Sequence, residues 1–408
     1  MWQIEHQCPQ CSAPVILEET ERLFACPYCR VRLYIASESV LRFHLPPVRF
    51  EEEIAYVPYW RAKGLQFTCR ASGVSTGVID RTSRALHSSC LPYSLGVRPQ
   101  VFKLRFVGRT ARKALLQPSI DFRDTSDEII EPGRLPADLP APDPILFRTA
   151  TREVESLIFS PISLQGGRLF DAIDGKALGR LTDEVLPGPS PSDGAPEEVS
   201  FIPTLCPNCG DDLIAEKESV MLFCSTCHLA WGVSGRALQN ARFAFLPGAG
   251  DAVYLPFWCA RVHFEEHGQR LFVDPPKTRR LDGLHLYLDD PDFFFWLPAF
   301  KINPSIFLKL AERATLAQTR LDDAEPEVRS RLYPVTLPAG EAVKLVKVLV
   351  HLLVGRTEGV GPVLTRLRVT PDQPDLCFIP FASSGYELAQ EKMRVSVLQN
   401  GLKYGKNL

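Results

Sequence analysis

The sequence predicts a mainly β protein of the α+β class, made of two tandem units. Each unit is a four-cysteine zinc ribbon followed by an antiparallel β-sheet or partial-barrel domain. Three observations carry this expectation. Two cysteine quartets share one spacing, Cys8-x2-Cys11-x14-Cys26-x2-Cys29 and Cys206-x2-Cys209-x14-Cys224-x2-Cys227. The second follows the first at a constant offset of 198 residues (206 − 8 and 227 − 29). Beyond the cysteines, Tyr56-Val57-Pro58-Tyr59-Trp60 returns as Tyr254-Leu255-Pro256-Phe257-Trp258 at the same offset.

Further echoes keep their order while the offset grows, as loop insertions in the second copy would require. Pro99-x-Val101-Phe102 answers Pro304-x-Ile306-Phe307, and Leu157-Ile158-Phe159-Ser160-Pro161 answers Leu376-Cys377-Phe378-Ile379-Pro380. Asp174-Gly175 pairs with Asn400-Gly401, and Gly179 with Gly405. The resulting division is a first ribbon at 1–40, a β-rich domain at 41–182, a linker at 183–200, a second ribbon at 201–236 and a second β-rich domain at 237–408. The linker contains LPGPSPSDGAPEEVS, rich in Pro, Ser, Gly and acid, which suits an exposed spacer. A second Pro- and acid-rich stretch, Glu131 to Pro144, reads as a loop within the first domain.

Within the domains, Ile54 to Cys69 and Ala252 to Phe264 carry the aromatic and β-branched residues of strands. Asp174-Gly175 and Asn400-Gly401 have the residues of tight hairpin turns, where both central positions need φ > 0. Glu341 to Val354 places Val343, Val346, Leu349, Val350 and Leu353 at helical spacing, with a weaker counterpart expected near Asp143 to Leu157.

Each quartet predicts a metal site with ligands Cys8, Cys11, Cys26 and Cys29, or Cys206, Cys209, Cys224 and Cys227. A short C-x-x-C knuckle supplies two tetrahedral corners, and two facing knuckles close the site around Zn2+, two ions per chain. The residues between knuckles suit a hairpin, Ala13 to Leu17 going out and Arg22 to Ala25 returning. Four thiolates leave no position for water or substrate, so the expected role is structural. Iron in the same cage would make an electron carrier. Rubredoxins, however, set their knuckles much further apart.

With these motifs the chain resembles the zinc-ribbon proteins. More narrowly, it resembles uncharacterised bacterial tandem zinc-ribbon proteins, in which a four-cysteine ribbon precedes a Tyr-x-Pro-[Tyr/Phe]-Trp β domain. The resemblance rests on the eight cysteines, Tyr56 to Trp60 and Tyr254 to Trp258. It implies no enzymatic activity. A helicase-like role would imply a G-x-x-x-x-G-K-[ST] loop, and the chain has none.

Two motifs suggest catalysis and fail on context. His263-Phe264-Glu265-Glu266-His267 matches H-x-x-E-H, but the segment reads as a strand ending in a turn at His267-Gly268. Residues four apart on a strand are about 13 Å apart, too far to share a metal. Gly73-Val74-Ser75-Thr76-Gly77 matches G-x-S-x-G, yet no βαβ pattern surrounds it, and it reads as a β-turn. Cys69, Cys90, Cys259 and Cys377 fall outside the quartets and read as small core residues. His228 follows a complete set of sulfurs. Tyr56, Tyr59, Trp60, Tyr254, Phe257 and Trp258 either pack a core bend or line a groove. Phe293-Phe294-Phe295-Trp296-Leu297 is either a strand covered on both faces or a partner-binding patch.

Composition narrows the function classes. The chain is 45% hydrophobic and 23% charged, as in soluble globular proteins, with a net charge of −2 that supplies no basic field for nucleic acid. No apolar run is long enough to span a membrane, and the start has no secretory pattern. Eight of twelve cysteines lie in C-x-x-C pairs, the usage of a reducing cytoplasm. The expected function is that of a non-enzymatic zinc-binding scaffold or adaptor engaging a protein partner. The alternative is nucleic-acid binding through the ribbons or the basic segment 98–113, with Arg98, Lys103, Arg105, Arg109, Arg112 and Lys113. Acidic ribbon loops argue against it, with Glu18, Glu19 and Glu21 in the first and Asp211, Asp212, Glu216 and Glu218 in the second.

Overall fold

Each complete cysteine knuckle is the turn of its own short hairpin in the computed structural model. The model describes residues 2–50, 54–108, 115–122, 143, 145–180, 199–266, 269–270, 293–319, 325, 327–329, 331–354 and 364–405. Strands β1 (Gln3–Gln7) and β2 (Pro14–Glu18) pair across the first knuckle, and β3 (Leu23–Ala25) and β4 (Arg32–Ala36) across the second. The expected hairpin between Ala13–Leu17 and Arg22–Ala25 therefore does not form. The Cys8 amide donates to Ala13 at 2.9 Å and the Cys26 amide to Val31 at 3.0 Å, so each knuckle closes on itself and draws its own flanks together.

The first large sheet follows. Its elements are β5 (Leu41–His44), β6 (Ile54–Arg70), β7 (Gly73–Arg84), the one-turn helix α1 (Arg98–Val101), β8 (Arg105–Phe106), β9 (Ile145–Ala150), β10 (Val154–Gln165), β11 (Arg168–Asp171) and β12 (Ala177–Arg180). Among the described residues they form one eight-stranded sheet. The second half opens with β13 (Ser200–Pro203), then the ribbon strands β14 (Met221–Phe223), β15 (Ala230–Ser234) and β16 (Ala237–Ala241). Next come β17 (Phe243–Phe245), β18 (Val253–Ala260), β19 (Val262–Glu266), β20 (Gln269–Arg270), β21 (Phe295–Pro298) and helix α2 (Pro304–Ala317). The chain closes with α3 (Ala339–Ala342), a 3-10 turn leading into α4 (Val346–Val354), β22 (Arg368–Pro371), β23 (Asp375–Ser384), β24 (Glu387–Gln390), β25 (Val395–Leu398) and α5 (Gln399–Gly405). The protein is thus mostly β, with two half-barrel sheets.

Pairings recur between the halves at the positions where the sequence echoes itself. Pro58 faces Phe159 as Pro256 faces Phe378, and Phe43 faces Ile158 in parallel as Ala244 faces Cys377. Each sheet is therefore antiparallel with one parallel pairing, which the sequence did not disclose. The two prolines lie where a neighbouring ladder stops. The carbonyls of Pro58 and Pro256 each accept from an alanine amide, Ala85 or Ala299, at 2.9 Å. On a strand a residue's N–H and C=O point the same way, so the missing proline N–H falls just where the next chain turns off. Past it, Trp60 Nε1 donates to the Ile120 carbonyl at 2.9 Å and Trp258 Nε1 to Leu337 at 2.8 Å. The aromatic motif is a core bend in both halves.

Three expectations are corrected. Asn400-Gly401 lies inside α5, not in a hairpin, so its echo of Asp174-Gly175 and that of Gly179 by Gly405 lapse. The turn between β24 and β25 is instead Glu391–Arg394, where Arg394 (φ 49°) takes the left-handed conformation that Gly175 (φ 78°) takes in the first half. The helix expected near Asp143–Leu157 is replaced by β9 and the start of β10, since Ile145–Ala150 pairs with β6. Helix α2 was not anticipated. Its Asn303 cap accepts from the Ser305 amide at 3.0 Å, and it covers β21. There Thr315 and Gln318 side chains bond the Trp296 and Phe294 backbones, satisfying the edge of the sheet with helix side chains. The helix over Glu341 to Val354 is present as α3, the 3-10 turn and α4.

One apolar core crosses the two halves. Leu65, Phe67 and Cys69 of β6 belong to the same buried cluster as Phe307 of α2 and Leu349 of α4. Within the first half, Gly64 lets the β9–β10 turn lie close on β6: a Cβ there would lie 1.8 Å from the Thr151 carbonyl oxygen. Strand β13 also pairs with β4, fastening the entry of the second ribbon to the first.

Candidate metal centres

The eight predicted ligands assemble into two clusters, and among the described residues no other His, Cys, Asp or Glu joins them. In each, the four sulfurs lie within 4.8 Å of one another, and all twelve cysteines are free of disulfides. Sulfur separations are 3.7 Å for Cys8–Cys29 and Cys11–Cys26, 3.5 Å for Cys206–Cys227 and 3.4 Å for Cys209–Cys224. Ligands about 2.3 Å from a tetrahedral ion would stand about 3.8 Å apart. The donor set therefore fits a divalent ion with only small adjustment.

Local backbone explains why the knuckles hold this shape. The residue after the second cysteine is left-handed in all four: Ser12 (φ 58°), Arg30 (φ 62°), Gly210 (φ 81°) and His228 (φ 53°). Only one of these is glycine, so the turn is held against its intrinsic preference. The turn aims amides at sulfur. Burial works against the Cys26 thiolate, but the N–H groups of Cys29 and Tyr28 more than offset it, and its pKa falls to about 6. Cys206 is brought to about 7 in the same way, burial being outweighed by the amides of Cys209 and Asn208. Cys29 and Cys209 receive amides from Val31 and Asp211, yet burial and the neighbouring sulfurs push both up to about 12. A cation at the centre would remove that competition among the four sulfurs.

The remaining candidates fall outside these clusters. His228 turns away, its Nδ1 accepting from the Val328 amide at 3.3 Å. His263 lies on β19 with Nε2 3.0 Å from Asp372, so the H-x-x-E-H match has no helix; His267 and Gly268 lie outside the described residues. Gly73 to Gly77 is the opening of β7, not the expected β-turn, because it pairs residue by residue with Gln66–Arg70 and the preceding Ala71-Ser72 makes the turn. Cys69, Cys259 and Cys377 are buried; Cys90 is only half-buried, beside Ser88. Phe295, Trp296 and Leu297 are buried beneath α2, as a covered strand requires.

The basic segment is partly spent on acids. Arg98 lies 2.5 Å from Asp171, and Arg105 donates to Glu5 at 2.7 Å; Arg109, Arg112 and Lys113 lie outside the described residues. Glu19, expected among exposed ribbon acids, is instead buried. Arg61, with a side chain 0% exposed, grips both its oxygens at 3.1 and 2.8 Å. A second buried set joins three segments: Lys301 lies 3.4 Å from Glu153 and 3.3 Å from Glu218. Burial raises the Glu153 pKa despite the pull of Lys301 and Lys63. Nothing in the spacing of these residues signalled the clusters; only their three-dimensional neighbours do. Among the described residues no helix is long and apolar enough to cross a membrane.

No family model, curated protein or solved structure matches this chain.

Proposed function

We propose that the chain is a non-enzymatic scaffold, stabilised by two structural Zn2+ ions, that presents its β domains to a protein partner in the cytoplasm. The observation that supports it best is the pair of four-sulfur clusters, whose ligands already fill a tetrahedron and leave no open coordination position. The recurring register supports two tandem units, 1–182 and 201–408 around a linker, in the manner of tandem zinc-ribbon proteins. Free thiols throughout suit a reducing compartment. The pairing of Arg98 and Arg105 with carboxylates weighs against nucleic acid.

Elemental analysis of the purified full-length protein tests the metal; two zinc ions per chain are expected, and iron or none refutes it. A binding assay with mixed DNA and RNA at low salt tests the rival. Tight, salt-sensitive binding there would replace the scaffold by a nucleic-acid protein. Purification from the native host under gentle conditions tests the partner, and a chain that always emerges alone would count against a scaffold.

A further inference from the structure

The loop between the knuckles of the second ribbon is the meeting point of the molecule. It runs from Ile214 to Val220, between Cys209 and Cys224. Its Lys217 carbonyl accepts from two amides of the first ribbon, Arg22 at 2.7 Å and Leu23 at 2.8 Å. Its Lys217 ammonium pairs with Glu21, and its Ala215 carbonyl accepts from Arg32 Nη2 at 3.3 Å. Glu218 reaches Lys301 of the second domain, which in turn faces Glu153 of the first. The Val220 amide donates to Val335 at 2.8 Å. The matching loop of the first ribbon differs, because Glu19 turns inward to Arg61 of its own half.

This seam is polar. It borders an open pocket of about 470 Å³ lined by Glu21, Leu23, Arg32, Ala215, Lys217 and Glu218 among others. Beside the loop, Tyr34 and Ala36 of the first ribbon share a buried cluster with Leu213, Leu222 and Trp231 of the second, and β13 pairs with β4, so the ribbons are also joined apart from the loop's own polar contacts. Between the large sheets the contact is apolar: Phe67 of β6 is 0% exposed, its ring centre 6.2 Å from that of Phe307 of α2.

We infer that metal occupancy of the second site governs the seam. With Cys209 and Cys224 tied to one ion, the ends of the loop are fixed and Lys217 and Glu218 are held in place for their partners. With the ion lost, the loop gains chain entropy that its polar bonds to Glu21, Arg22, Leu23 and Arg32 do not offset. The loop lets go of Arg22 and Leu23 and uncovers Glu21, while the β13–β4 pairing, the Tyr34 cluster and the Phe67–Phe307 contact keep the halves docked. The device is one-sided: emptying the first site loosens the first ribbon but leaves the second loop anchored to Val335 and Lys301. This rests on the proposed metal reading, and a metal count made first separates the two. Fewer than two zinc ions in the wild type would sink that reading, whereas two ions with an unresponsive seam would sink this inference alone.

The test compares zinc-loaded full-length Cys209→Ser and Cys11→Ser, each removing the exposed ligand of one site, by hydrogen exchange and mass spectrometry. Cys209→Ser is expected to speed exchange across Arg22–Leu23 about tenfold or more while Phe67 stays protected. Cys11→Ser is expected to leave the 213–223 segment unchanged. Equal loosening by both variants, or none at Arg22–Leu23 in Cys209→Ser, overturns the inference. If Cys209→Ser loses protection even at Phe257 and Trp258, a chelator titration of the wild type decides. Exchange at Arg22–Leu23 must then track exchange at Leu222–Phe223; if it follows the first ribbon instead, the inference fails.

Discussion

Replacing Arg61 by Met tests how the first ribbon is fastened to its sheet. The guanidinium is fully buried, and Glu19 is 3% exposed, so neither has water as an alternative partner. Nε and Nη2 hold the two carboxylate oxygens, Nη1 donates to the Ala62 carbonyl at 2.9 Å, and the group lies 3.8 Å from the centre of the Trp2 ring. Asp80 also lies 2.7 Å from Nη1, but it is half exposed and loses little. Glu19 would be left as a lone buried charge. Breaking such a pair from one side costs about 3–5 kcal/mol. A chain of this size is not expected to unfold in one step, so the loss is read locally. Hydrogen exchange at the Glu19 amide, which donates to Trp2, and the Glu21 amide, which donates to Glu18, reports opening of the ribbon. At 1.36 kcal/mol per tenfold, protection there should fall by about two to three and a half orders of magnitude. Replacing the whole pair, Arg61→Met with Glu19→Leu, should restore most of it, because no unpaired charge then remains. A fall of less than about fivefold in the single variant, or a double variant as weak as the two singles combined, would refute the reasoning.

Four further outcomes follow from the same contacts. Trp258→Phe removes the bond to the Leu337 carbonyl and should cost about 1–3 kcal/mol, read as a lower melting temperature; Trp60→Phe should behave alike in the first half. Gly64→Ala drives a methyl into the Thr151 carbonyl and should destabilise by about 1–3 kcal/mol or more, with an unchanged melting curve ruling out the close approach. Removing the α2 side chains that satisfy β21, as Thr315→Val with Gln318→Ala, should increase aggregation in light scattering, whereas a variant as soluble as wild type would show the edge needs no such cover. Burial raises the Glu153 pKa, so its ionisation costs stability progressively as pH rises above the ordinary glutamate value. The melting temperature of Glu153→Gln should therefore gain on wild type as pH rises above the ordinary glutamate range; a constant difference would show that burial does not raise the Glu153 pKa.

How far the sequence foretold this molecule depends on the range of the interactions involved. The knuckles were legible because C-x-x-C is a local turn whose chemistry is carried by adjacent residues. Strands β6 and β18 were legible because their aromatic and β-branched content is local too. The Asn400-Gly401 turn failed for the opposite reason: the dipeptide favours a hairpin, but α5 forms there, and Arg394 takes the left-handed position instead. The ribbon hairpin failed because pairing was assigned between knuckles, while the Cys8 and Cys26 amides pair strands across them. Helix α2 escaped notice although Asn303-Pro304-Ser305 is a start signal, with a capping side chain ahead of a proline at the first helical position. Glu19 was misplaced because nothing in Glu18-Glu19-Thr20-Glu21 distinguishes the residue that turns inward; its partner is 42 positions away.

The buried charges and the four-sulfur clusters bear on the proposed function together. A site built for chemistry keeps an open ligand position or a titratable group facing a cleft. Here four buried charged groups, Arg61, Glu19, Lys301 and Glu153, face one another across joints between ribbon and sheet or between halves. Their placement fixes geometry at the cost of desolvation, and a joint made of charges is specific about which surfaces meet in a way that an apolar contact is not. The sulfur clusters do the same work at the ends of the loops that reach those joints. These joints thus hold ribbon to sheet and one half to the other, the property that the proposed scaffold would need toward a partner touching both.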